Sequence, residues 1–134
     1  FLLADSAQVS NAKISMLGGG WNSLFVRDPE VGVPLIAIVG RVIVPLEEEL
    51  EAFHLVIQLD DEQSVPPTPL LENPPRMTIA GETENEFQGG PEFAVPFAID
   101  MFGLRFPHEG TYAFTISHDG EQLARTRFRV RFRT

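Results

Sequence analysis

The clearest pattern of hydrophobic and polar positions lies at the C-terminal end of the chain. From Ala124 to Thr134, arginine takes every odd position as far as 133, while apolar residues and threonine take the even ones. Successive strand side chains point to opposite faces of a sheet, so the alternation predicts a half-buried strand with a row of arginines outside. We call this row the arginine comb: Arg125, Arg127, Arg129, Arg131 and Arg133.

The same period of two residues recurs in earlier segments. Residues 52–60 and 111–117 alternate, which predicts inward side chains at Phe53, Leu55, Ile57, Leu59, Tyr112, Phe114 and Ile116. Residues 35–44 are almost continuously apolar, as expected for a central strand covered on both faces. In residues 92–106 the apolar positions change from odd to even near Met101 and Phe102, so we expect a bulge or a sheet-crossing corner there.

Turn residues separate these segments. Ser10-Asn11-Ala12 predicts a hairpin between residues 1–9 and 13–17, and Gly18-Gly19-Gly20 predicts a bend between sheets with Trp21 packed beside it. Residues 64–77 hold five of the eleven prolines, so we expect a loop without ladder pairing. For the last hairpin, the alternation places Phe114 opposite Ala124 and predicts a three-residue loop ending in a left-handed Gly120, or else a bulge soon after the turn.

These elements predict an all-β fold, because no window shows a sustained helical period. We expect one antiparallel β-sandwich domain over residues 1–134, immunoglobulin-like, with seven to nine strands. The segment Leu104 to Tyr112, with Gly110 two residues before the tyrosine, resembles the tyrosine corner of such sandwiches. Trp21, Gly110, Tyr112 and Gly120 are therefore interpreted as structural residues.

Charge divides the chain unevenly. Residues 1–123 carry five basic and all 19 acidic residues, a net charge of −14, whereas the comb strand carries +5. Nucleic-acid affinity depends largely on phosphate neutralisation, so an acidic protein of this kind is not expected to bind nucleic acid. Glu82, Glu84 and Glu86 alternate with the same period as the comb. We therefore hypothesise that the comb is half of a charge ladder, with these glutamates or with another molecule.

Candidate chemistry is sparse. The chain has no cysteine, which excludes disulfides, thiolate zinc sites and a cysteine nucleophile. Three histidines occur without a nucleophile elbow or a paired metal-ligand spacing, so we expect no enzyme activity, no catalytic residues and no cofactor. Asp60, Asp61 and Glu62 could bind calcium from a loop, although the spacing of a calcium loop is missing. An undetected hydrolase is a second alternative.

The opening of the chain resembles a known family. The strings A-D-S-A-Q-V (4–9) and N-A-K-I-S-M-L-G-G-G-W (11–21), with F-P-H-E-G-T-Y-A-F (106–114), are similar to an uncharacterised bacterial family, common in actinobacteria, that carries a domain of unknown function. The chain has Ala12 where the family pattern would have glycine. The resemblance implies the fold and brings no known activity, cofactor or catalytic residue.

The sequence favours a non-catalytic binding or assembly module that uses its edge strands and the arginine comb. The expected partner is another protein or a second copy of the chain. No apolar run approaches 18 residues, so no membrane span is expected. Lack of cysteine favours the cytoplasm, while a start at Phe1 rather than methionine would fit removal of a signal segment.

Overall fold

The structure is a computed structural model that describes residues 1–11, 13–45, 53–79 and 92–133. These residues form ten strands and no helix, and the strands are numbered in chain order. They are β1 (Leu2–Ser10), β2 (Lys13–Gly19), β3 (Ser23–Val26), β4 (Val33–Pro45), β5 (Phe53–Asp61), β6 (Thr68–Pro69), β7 (Arg76–Ile79), β8 (Glu92–Leu104), β9 (Gly110–His118) and β10 (Glu121–Phe132).

The strands form two sheets. One has the order β2-β1-β4-β8, and the other has the order β3-β10-β9-β5-β6, with β7 sharing the outer edge of β5. Every neighbouring pair is antiparallel except β3, which runs parallel to β10. The protein is therefore an all-β sandwich, as the alternating pattern predicts. The parallel pair was not foreseen, since neither strand's own alternation indicates its neighbour.

The core lies between the two sheets and is rich in aromatic rings. Phe128 of β10 lies at its centre, stacked on Phe114 at 5.3 Å between ring centroids and edge-on to Phe106 at 5.9 Å. Trp21 packs edge-on against the same ring at 6.1 Å. Offset and edge-on contacts add to the burial of apolar area, so the inward row of β10 anchors the strand that carries the arginines.

The central position of β4 is confirmed. Its residues Ile36 to Val39 are all buried, because β4 pairs with β1 on one side and with β8 on the other. Ile36 and Ile38 face the core, while Ala37 and Val39 form a small cluster with Ala4 on the outer face. Ala7 and Ile14, from the predicted β1–β2 hairpin, pack against this outer cluster.

The three glycines at the end of β2, Gly18 to Gly20, lie where the chain leaves one sheet for the other. Gly18 and Gly20 have positive φ angles of 59° and 84°, and the next strand, β3, belongs to the second sheet. The predicted bend between sheets is confirmed. The backbone N–H of Gly20 still donates to the Leu3 carbonyl at 2.8 Å, so the bend remains tied to β1.

The predicted bulge in β8 is wrong. The pairing of β8 with β4 keeps one register on both sides of the switch, from Ile36 opposite Met101 to Val33 opposite Leu104. The face changes instead at Gly103, whose φ of 63° lies in the left-handed region that glycine adopts without steric cost. The sheet crossing, which was the alternative expectation, follows between Leu104 and Gly110.

The last hairpin follows the second of the two predicted routes. Asp119 and Gly120 form a two-residue turn with φ angles of 48° and 79°, the signs of a type I′ turn, and the register shifts between Gln122 and Ala124. The predicted bulge soon after the turn is confirmed, and the three-residue loop is wrong. Phe114 consequently pairs with Thr126, two residues beyond the expected Ala124, on the same face.

The expectation of a proline-rich segment without ladder pairing is wrong. Strand β6 pairs with Asp60 and Asp61, and β7 pairs with the first half of β5, which raises the count to ten strands instead of nine at most. Proline is tolerated at an edge because its missing N–H can face outward. Between the two short strands, the Gln58 side chain replaces ladder contacts: its amide donates to the Leu71 carbonyl at 3.1 Å and accepts from the Leu71 N–H at 2.9 Å.

The remaining expectations concern residues outside this description. Glu82, Glu84 and Glu86 lie in the range 80–91, so their proposed pairing with the comb stays a prediction. Among the described residues, no helix is long and apolar enough to cross a bilayer.

Candidate protein-interaction surface

The outer face of β10 carries the arginine comb, as the alternation predicts. Phe128 and Val130 are buried, whereas Arg127, Arg129, Arg131 and Arg133 are exposed. Arg125 differs from the others because its side chain is only 24% exposed. The comb is therefore not uniform, and its two ends have different surroundings.

The N-terminal end of the comb is held by an ion bridge to β5. Arg125 Nε donates to Glu62 Oε1 at 2.9 Å, and the Nη2 of the same guanidinium also contacts this oxygen. Arg127 Nε lies 3.0 Å from Glu62 Oε2, and Arg125 Nη1 lies 3.8 Å from Asp60 Oδ2. One carboxylate thus binds two guanidinium groups.

The bridge passes over the intervening strand β9. Arg127 pairs with Ala113, which pairs with Asp60 on the far side, and Arg125 pairs with Thr115. The outward residues of β9 are small, so arginine and carboxylate side chains can meet above them. Ala113 is 0% exposed although it faces outward, which is the expected result of this cover.

The electrostatics of Glu62 agree with the geometry. Burial raises the pKa of the Glu62 carboxyl, but the hydrogen bonds and charges of Arg125 and Arg127 outweigh burial, and the pKa is lowered from its usual 4.5. Glu62 is therefore ionised at neutral pH. Its side chain is only 11% exposed, so the bridge is better shielded from water than an ordinary surface ion pair.

The C-terminal end of the comb has no carboxylate partner among the described residues. Among the described residues, Arg129 and Arg131 make no ion pair, and Arg133 lies with its guanidinium carbon 4.7 Å from the centre of the Phe25 ring. Phe25 is 50% exposed and stands beside Arg131 because β3 runs parallel to β10. A half-exposed aromatic ring thus lies within a group of arginines.

These side chains line an open groove of about 590 Å³, which we call the basic groove. Its wall is completed by Gln63, whose side-chain amide occupies the space beside Gly110, and by Glu109. Glu109 Oε1 accepts a 2.7 Å hydrogen bond from the Phe132 N–H, where β9 no longer accompanies β10. The lining residues are Phe25, Gln63, Glu109, Gly110, Arg129, Val130, Arg131, Phe132 and Arg133.

Next to the groove, Asp61, His108 and Tyr112 form a hydrogen-bonded cluster. The Tyr112 hydroxyl donates to the His108 carbonyl at 2.6 Å, which is the bond that the tyrosine-corner pattern predicts. His108 Nε2 lies 2.6 Å from Asp61 Oδ2, and His108 Nδ1 lies 2.7 Å from the Glu109 carbonyl. The Glu109 carbonyl oxygen can only accept, so Nδ1 donates to it, and the ionised Asp61 carboxylate accepts from Nε2 when His108 is protonated.

The pKa directions agree with that assignment. The hydrogen bond to the Glu109 carbonyl, followed by the bond to Asp61, raises the pKa of His108 above its usual 6.5. Burial raises the pKa of Asp61, but hydrogen bonds from Gln63 and His108 outweigh it and lower the pKa below 3.8. When protonated and bonded at both nitrogens, the His108 ring has no free lone pair to act as a general base.

The three carboxylates considered for calcium binding make contacts with basic side chains. Asp60 and Glu62 contact arginines, and Asp61 contacts His108. A calcium ion would need these oxygens to converge on one centre, and the described residues include no group of three metal-ligating side chains.

The sequence pattern predicted the arginine comb but not the residues that contact it. Phe25 belongs to the surface through the parallel pairing of β3, and Gln63 through the end of β5, neither of which a local pattern reveals. Glu62 was singled out as an acidic loop residue, whereas it lies beneath the guanidinium groups of Arg125 and Arg127. The available signal was the run of acidic residues at 60–62, whose charge is opposite to that of the comb.

Fold and site together define a class of protein: an all-β sandwich with a basic groove on an otherwise acidic chain. The sequence pattern of one family, described as "Family of unknown function (DUF6941)", matches residues 1–131. The chain therefore belongs to this family. No curated protein and no solved structure matches it.

Proposed function

We propose that the protein is a non-catalytic binding module whose contact surface is the basic groove. The observation that carries this proposal is the contrast within one strand. Arg125 and Arg127 are both paired with Glu62, and Arg125 also lies near Asp60, while Arg129, Arg131 and Arg133 have no acidic partner among the described side chains.

Repulsion along the comb is compatible with stability. Arginines two residues apart on a strand are separated by about 7 Å, and two unit charges at that distance in water repel by only about 0.6 kcal/mol before salt screening. Mutual repulsion therefore does not prevent these arginines from standing together on an exposed surface. Exposed arginines beside an aromatic ring are typical of interface centres, which supports a protein as the partner.

The absence of a catalytic role is part of the proposal. His108 is engaged at both ring nitrogens, and Tyr112 is fully buried with its hydroxyl bonded to backbone. The same tyrosine bond supports an immunoglobulin-like assignment for the sandwich. The family resemblance supports a bacterial source, and the lack of cysteine supports a reducing compartment such as the cytoplasm.

The test compares two variants of equal charge. In the groove variant, Arg129, Arg131 and Arg133 are replaced by glutamine, and in the control variant, the exposed Arg41, Arg76 and Arg105 are replaced instead. Tagged proteins are used to capture partners from a lysate of the source organism, and sedimentation measures self-association. We expect partners, or a second copy, to be lost from the groove variant alone. Equal capture and equal sedimentation by both variants would refute the proposal.

A further inference from the structure

The basic groove has a repeat that a ligand can match. Arg129 and Arg131 leave one face of β10 two residues apart, about 7 Å, and Arg133 follows two residues later, directly after the strand ends. An extended peptide repeats its own side chains on one face at the same interval. Carboxylates at every second residue of such a peptide would therefore meet successive guanidinium groups in register.

We infer that the basic groove binds an extended acidic segment of a partner protein, with carboxylates at alternate positions. This inference rests on the proposed function, since it specifies what the groove takes. Arginine donates two parallel hydrogen bonds to one carboxylate, so each matched pair adds orientation as well as charge attraction. The backbone of the extended segment spaces its alternate side chains at the same interval as the arginines, so each carboxylate can meet one guanidinium group.

The ends of the groove add further selectivity. At the Arg129 end, the Gln63 amide lies beside Gly110 and offers donors to a carboxylate or a backbone carbonyl. At the other end, Phe25 is half-exposed beneath Arg133, so an apolar side chain there would cover the ring. Glu109 already binds the Phe132 N–H and repels a carboxylate placed directly over it. The preferred segment therefore has its alternating carboxylates along the arginines and an apolar residue beyond them, at the Phe25 end.

Charge around the groove favours a short peptide over a polyanion. Residues 1–123 carry a net charge of −14, and at physiological salt the Debye length is about 8 Å. A segment of a few residues stays within reach of the arginines. Nucleic acid or an anionic membrane extends far beyond them and meets the acidic remainder of the surface.

The experiment uses labelled peptides and fluorescence anisotropy with the complete chain. The main probe alternates glutamate and threonine over about eight residues, ending in leucine, which spans the groove when extended. A peptide of the same composition with all its glutamates contiguous tests the spacing, and an alternating glutamine–threonine peptide tests the charge. Inorganic phosphate, a single-stranded oligonucleotide and phosphatidylserine vesicles are tested as other anions.

We expect the alternating acidic peptide to bind about tenfold more tightly than the contiguous one. The groove variant should lose this binding by about tenfold or more, while the variant with Arg41, Arg76 and Arg105 replaced stays within about twofold of wild type. Circular dichroism and the unfolding midpoint of both variants establish that each is folded.

Equal affinity for alternating and contiguous peptides, or tighter binding of the oligonucleotide or vesicles, would overturn the inference. Its failure can be separated from failure of the proposed function. If the groove variant alone loses its lysate partners while no acidic peptide binds the wild-type protein, only this inference is wrong. If neither the capture nor the peptide binding depends on the groove, both are wrong.

Discussion

Replacing Glu62 with glutamine removes the charge at the centre of the ion bridge while keeping the shape of the side chain. The amide oxygen can still accept one hydrogen bond, but Arg125 would keep only Asp60, at 3.8 Å, as a charged partner. A guanidinium whose side chain is 24% exposed would then be incompletely compensated. We expect Glu62→Gln to lower the free energy of unfolding.

The magnitude follows from the exposure of the pair. Fully exposed ion pairs contribute about 0.2–1 kcal/mol, and breaking a buried pair costs about 3–5 kcal/mol. The Glu62 and Arg125 side chains are 11% and 24% exposed, which places the bridge between these limits. We expect a loss of about 2 kcal/mol, which for a chain of this size lowers the melting temperature by about 6–10 °C.

Urea unfolding followed by Trp21 fluorescence measures this loss, because the only tryptophan packs against Phe128 in the core. Glu72→Gln is the matched control, since Glu72 is exposed and forms no ion pair with the described residues. A double-mutant cycle with Arg125→Gln should give a coupling of about 1 kcal/mol or more. If Glu62→Gln changed stability no more than Glu72→Gln, the bridge would contribute nothing and the reasoning would be refuted.

Three further changes test neighbouring features by the same unfolding assay. Tyr112→Phe leaves the partly buried His108 carbonyl without its 2.6 Å bond and should cost about 1–3 kcal/mol; a loss below about 0.5 kcal/mol would contradict a structural role for the hydroxyl. Ala113→Leu forces a larger side chain under the bridge and should cost about 1–3 kcal/mol. An unchanged unfolding midpoint would show that the arginine and carboxylate side chains above it move aside without loss of stability. The folded-state pKa of His108 is raised, so its stabilisation is present in full below about pH 6.5 and is lost as pH rises through the folded value. The stability gap between wild type and His108→Gln should therefore shrink with rising pH above 6.5, and a gap that is constant with pH would show that the Asp61 contact contributes no proton linkage.

The outer and inner rows of each long strand could be predicted from the sequence because period-two alternation is a local property. The inward rows of β9 and β10 and the bulge after the last turn follow from it, while the central position of β4 follows from its almost continuously apolar run. The bulge expected in β8 was wrong because the alternation shows that the apolar side chains change face but does not show which backbone feature causes the change. A left-handed Gly103 produces the same change of face as an inserted residue.

The comb shows where local pattern ends and tertiary structure begins. The sequence by itself determined that five arginines share one face of the last strand, because backbone geometry fixes the direction of alternate side chains. Only the tertiary structure decided which of them are neutralised, because that depends on strands far apart in the chain. β5 brings Glu62 to Arg125 and Arg127 across the small residues of β9, and β3 brings Phe25 to Arg131 and Arg133. Long-range pairing therefore divided a uniform row into two arginines that contact Glu62 and three that have no acidic partner among the described residues.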